Sequence, residues 1–166
     1  MIVTCMAGAC SEPKASATLT YVMMYQQSTT TVVEFDSDMN IEELYEKNRH
    51  QKLVRKYLKC ALGDDQNFDV ENKMRYAFEG TLELQGSSKV GEKTTYRYLS
   101  HGDFYEQPPD SNDLELLREQ TLVGVLGAKS AVPCKAIMTV YASSPYYSNA
   151  MSMPSSDIVN TSNMKR

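Results

Sequence analysis

Lys47 to Lys59, KNRHQKLVRKYLK, decides how the chain is read. It carries six cations, Lys47, Arg49, Lys52, Arg55, Lys56 and Lys59, and no acid. The whole chain has 17 basic and 21 acidic side chains, so the remainder is strongly acidic around this one basic run. At ~100° per residue, Arg49, Lys52, Arg55, Lys56 and Lys59 share one helical face, while Leu53, Val54, Tyr57, Leu58, Ala61 and Leu62 share the other. The spacing predicts a basic amphipathic helix that buries its apolar stripe and offers cations to an anionic ligand. Upstream, Asn40 supplies an N-cap, with Glu43 three residues on and Glu42 beside it at the positive end of the helix dipole. The helix is expected to run from there, bending or restarting near Asn48 to His50, to Leu62, and to stop at Gly63.

Strand patterns flank it. Thr18 to Tyr25 (TLTYVMMY) and Thr30 to Phe35 (TTVVEF) are rich in β-branched and aromatic residues and are separated by a short polar turn, which predicts a hairpin. From Met74 to Gln85 apolar and polar residues alternate, the mark of a strand with one buried and one wet face. Lys93 to Leu99 reads as its returning partner, and Lys135 to Ala142 as a last strand. Ser111 or Asn112 can cap a shorter helix through Leu114, Leu116, Leu117 and Leu122, and Val123 to Leu126 reads as a short buried strand. The expected fold class is α+β, an antiparallel sheet of about five strands packed against one long amphipathic helix and one shorter helix. Residues 1–15 read as a flexible N-terminal arm, 16–142 as the single domain, and 143–166, rich in Ser, Asn and Met, as a disordered tail.

The chemistry of catalysis is thin. His50 and His101 are the only histidines, and neither lies near a Cys pair. The sequence holds no phosphate-cradling glycine loop, no H-E-x-x-H and no G-x-S-x-G. Cys5, Cys10, Cys60 and Cys134 are spaced too irregularly for a zinc site and read as reduced thiols. No catalytic residue, cofactor, metal or small-molecule substrate is expected. The first residues lack a basic region before an apolar run, and no stretch approaches the ~20 apolar residues of a membrane span, so an intracellular, non-secreted protein is expected. The candidate site is the anionic-ligand face of Lys47, Arg49, Lys52, Arg55, Lys56 and Lys59, for a phosphate backbone, lipid headgroups or an acidic protein surface.

A strand pair leading into a helix that ends RKYLKCALGDD, followed by YAFEGTLELQG and a returning strand, resembles the matrix proteins of rhabdoviruses over about residues 17–99. Phe78-Glu79-Gly80-Thr81-Leu82-Glu83-Leu84 is similar to that family's aromatic–charged–Gly–Thr/Lys–hydrophobic–Glu–Leu strand. The family's basic arm with a Pro-Pro-x-Tyr motif has no counterpart, since Pro108-Pro109 is followed by Asp110 and Ser111, and the length suits the smaller plant-infecting members. The resemblance implies a non-enzymatic viral structural protein of the host cytoplasm or nucleus and the virion. It would self-associate and bridge nucleocapsid or RNA and anionic membrane through the basic helix face. The other function open to such a patch is a small nucleic-acid-binding or host-interaction protein, such as a silencing suppressor or movement factor.

Overall fold

The computed structural model describes residues 15–46, 54–140 and 144–164. Its frame is one antiparallel sheet. Strands β1 (Leu19–Gln27) and β2 (Thr30–Ser37) form the expected hairpin, with Ser28 at its turn in the left-handed region. Helix α1 (Ile41–Glu46) follows, then β3 (Val54–Ala61), β4 (Tyr76–Val90) and β5 (Lys93–Glu106). A two-residue strand β6 (Glu115–Leu116) leads to α2 (Glu119–Leu126), β7 (Ala131–Val140), β8 (Tyr146–Tyr147), β9 (Met151–Pro154) and α3 (Ser155–Asn163). The strands lie in the order β1-β2-β5-β4-β3-β7-β8, with β6 beside β5 and β9 beside β7.

This corrects the α+β expectation. The described residues are mostly antiparallel sheet, nine strands with three short helices, and no long amphipathic helix packs on them. The helix begins where Asn40 caps it, the Asn40 Oδ1 accepting from the Glu42 N–H at 3.0 Å. From Val54 the chain is a strand instead, at the centre of the sheet between β4 and β7. The apolar doublets Tyr57-Leu58 and Ala61-Leu62 mimic a helical period because this strand is buried on both faces. Leu58, Cys60 and Leu62 enter the main core, while Tyr57 and Ala61 lie on the opposite face under Phe68, Met74 and Ile137. Two neighbouring ladders satisfy the whole backbone here, and tertiary pairing outweighs local helix propensity.

Two further expectations change. The helix read from Ser111 or Asn112 starts only at Glu119 and takes in Val123 to Leu126, which had the look of a strand. The segment 143–166 is no disordered tail over its described part: β8 and β9 add to the free edge of β7, and Met151, Met153 and Ile158 are fully buried. The arm over residues 1–15 lies, except for Ala15, outside the described residues.

The sheet curls until its two ends meet. The Asn149 N–H donates to the Ala17 carbonyl at 2.9 Å, and the Ala17 N–H to the Tyr146 hydroxyl at 2.7 Å. Tyr21 of β1 donates to Asp157 of α3, fixing that helix against the seam. Phe35 stacks on Tyr98 with ring centroids 5.6 Å apart, and Phe78 meets Phe104 at 5.5 Å. The Tyr98 hydroxyl reaches out of this core to α1, accepting from the Ile41 N–H at 2.8 Å and donating to Asn40 Oδ1 at 3.1 Å. Cys60 and Cys134 face each other in register on β3 and β7 and are joined as a disulfide, which corrects the reading of these two as reduced thiols. Cys5 and Cys10 lie outside the described residues.

Candidate functional site

Strand β3 sorts the expected cations by the two-residue period of a strand. Arg55 and Lys59 share the outer face with Tyr57; Lys56 points the other way with Leu58. The single cationic face is therefore not formed by Arg55, Lys56 and Lys59. Lys56 donates to Glu42 of α1 on the far side of the sheet. Lys47, Arg49 and Lys52 lie outside the described residues.

The register sets what surrounds Arg55 and Lys59. Lys59 stands directly opposite Glu79 on β4 and opposite Lys135 on β7, and Glu79 in turn faces Asp103 on β5. One row along, Tyr57, Thr81 and His101 line up across the same three strands. Arg55 Nη2 donates to Glu79 Oε1 at 3.0 Å, and its guanidinium lies 5.2 Å from the centre of the Tyr57 ring. The Arg55 side chain is 73% exposed, so the pair is solvent-screened and holds its position weakly. Like charges directly opposite in a ladder repel, and Lys135 is turned aside onto Phe68, with its Nζ 5.4 Å from that ring centre.

On this face, residues of the loop between β3 and β4 and of the loop between β5 and β6 border two adjoining pockets, the lobes of one trough. One lobe, about 420 Å³, is lined by Arg55, Tyr57, Thr81, His101, Tyr105 and Leu114. The other, about 230 Å³, is lined by Arg55, Lys59, Asn72, Lys73, Gln107 and Asn112. Arg55, Glu79, Tyr105 and Leu114 border both lobes and form the saddle between them. Lys73 donates to Asn112 Oδ1 at 2.5 Å, which ties one loop to the other.

Burial, reinforced by Glu79 and opposed by Arg55, pushes the Tyr57 phenol up to about 12. Burial and the carboxylates of Asp103 and Glu79 also raise Tyr105. Both rings are neutral at physiological pH and serve as apolar faces with a hydroxyl donor. His101 Nε2 is enclosed 3.2 Å from Glu83 Oε2, yet the two are not aligned for a hydrogen bond. The trough thus offers cations and aromatic faces, a recognition chemistry, with no nucleophile held by a base. Among the described residues no group of three or more His, Cys, Asp or Glu could hold a metal ion. No described helix is long and apolar enough to cross a membrane.

Reading the sequence did not place Tyr105, Leu114, Lys73 or Asn112 at the site. They come from three loops and strands and meet only through the β3–β4–β5 register. Comparison with family models, curated proteins and solved structures finds no match to this chain.

Proposed function

We propose that the protein is a non-enzymatic, matrix-like structural protein that self-associates and bridges nucleocapsid and anionic membrane, with residues 47–59 as its cationic contact region. The observation that carries this reading is the concentration of six cations in thirteen residues of an otherwise acidic chain. Arg55 and Lys59 supply that region's fixed end, on an outer face to which Lys73 and Lys135 add charge. Neutralising such a cluster releases counterions from a phosphate-bearing partner, and each cation near an anionic bilayer contributes ~1 kcal/mol. Exposed Val22 and Met23 on β1 offer apolar surface for contact between copies.

Co-sedimentation with anionic and neutral vesicles at low and high salt tests the membrane arm, and sedimentation velocity across a concentration series tests self-association. Salt-sensitive pelleting with anionic vesicles alone, weakened in Arg55→Glu/Lys59→Glu, is expected together with concentration-dependent oligomers. A protein that stays monomeric and ignores anionic vesicles overturns the reading. The second reading, a small nucleic-acid-binding or host-interaction protein, is favoured by aromatic rings standing beside the cations in the trough.

A further inference from the structure

We propose that the trough binds a single-stranded nucleic acid, with a phosphate in the lobe of Arg55, Lys59 and Lys73 and a neighbouring base against Tyr105 in the other lobe. The inference rests on the reading that this face meets an anionic partner, and it names that partner's chemistry at one place.

Charge selects the first lobe. Among the described residues lining it, Glu79 is the one acid against the three cations Arg55, Lys59 and Lys73, so the lobe is net positive and two of its three positive charges are left for a ligand. Arg55 carries five N–H donors in a planar fork and Lys73 three on a mobile stem, and an anion can draw either without disturbing the sheet. Cations alone would serve a bilayer as well; the aromatic lobe beside them favours a strand that carries bases.

The second lobe supplies what a base needs. Tyr57 is already covered by Arg55 and almost wholly buried, which leaves Tyr105 as the available ring, with the half-exposed Leu114 lining the same lobe. Every base has a π-face, so stacking here is indifferent to sequence. Tyr105 borders both lobes, so a base against its ring lies next to the lobe that holds the cations. A duplex has its bases stacked on each other and cannot lay one in a lobe of 420 Å³ beside its own phosphate.

Fluorescence anisotropy with a labelled 12-mer oligouridine, the same length of duplex RNA, and a salt series tests the proposal on the full chain. Tighter binding of the single strand is expected, with log K falling against log salt by about 0.7 for each phosphate held. Lys73→Ala should flatten that slope by about one phosphate. Tyr105→Ala should weaken binding about five- to 150-fold while leaving the slope alone, and Tyr105→Phe should bind like the parent. Tyr105→Leu keeps the apolar bulk without the ring and serves if the alanine variant fails to fold. Duplex binding as tight as single-strand binding overturns the proposal, as does full affinity in both ring-less variants. Binding to anionic vesicles with none to the 12-mer refutes the trough and leaves the membrane reading standing; binding to neither refutes both.

Discussion

Removing one oxygen from the core should loosen α1. The Tyr98 hydroxyl stands where a helix cap stands, accepting from the buried Ile41 N–H at 2.8 Å and the Glu42 N–H at 3.3 Å. Tyr98→Phe keeps the stack on Phe35 and removes these two bonds and the hydroxyl's donation to Asn40 Oδ1. Glu42 retains Asn40 Oδ1 at 3.0 Å, but Ile41, 1% exposed, is left with a donor that water cannot reach. One orphaned buried donor costs about 1–3 kcal/mol, so a loss near 2 kcal/mol is expected. For a chain of this length that lowers Tm by about 4–8 °C. Urea and thermal unfolding followed by circular dichroism measure it. Asn40→Ala, which acts on the same junction, should combine with Tyr98→Phe non-additively, because the two share partners. A loss under about 0.5 kcal/mol, or simple additivity, would refute the role assigned to this hydroxyl.

Gly102→Ala should destabilise by about 3 kcal/mol or more, since a Cβ there would stand 2.0 Å from the Glu79 carbonyl oxygen, which the β4 ladder holds in place; an unchanged urea midpoint would show that β4 and β5 do not approach so closely. Cys60→Ala/Cys134→Ala should cost about 4 kcal/mol by the chain-entropy argument for a 74-residue separation, read as a fall in the urea midpoint that the reduced parent shares. Tyr57 and Tyr98, both pushed up to about 12 chiefly by burial, favour the fold in their neutral forms. Their contribution is complete below their ordinary value of 10.0 and lost as pH rises through about 12, so stability should fall across that window while absorbance at ~295 nm shows them ionising late. Two phenols that ionise near 10.0 in the folded protein would contradict their burial.

The hairpin of β1 and β2 was legible from its β-branched and aromatic residues around a polar turn, and β4 because apolar and polar residues alternate along its first half. Strand β3 was not, because its second buried face depends on Phe68 and Met74, brought over it by a polar loop that shows no sign of doing so in the sequence. The last strands hid for the opposite reason: Met151, Met153 and Ile158 are few among Ser and Asn, and they suffice only because β7 offers a ready ladder. The candidate site was half visible. Arg55 and Lys59 stood out by charge, but the row joining Lys59, Glu79 and Asp103, and the row joining Tyr57, Thr81 and His101, exist only once three strands are in register.

The seam between Ala17 and Tyr146 spans 129 residues of chain. During synthesis from the N-terminus, β1 therefore waits for more than a hundred further residues before its last neighbours exist. Contacts of such separation are entropically late and slow folding. The ribosome must release the chain through Asn149 before the sheet can shut. Until then the nascent chain exposes the unclosed margins of β1 and β7, and a second nascent copy alongside could shut the sheet in its place by exchanging its final strands.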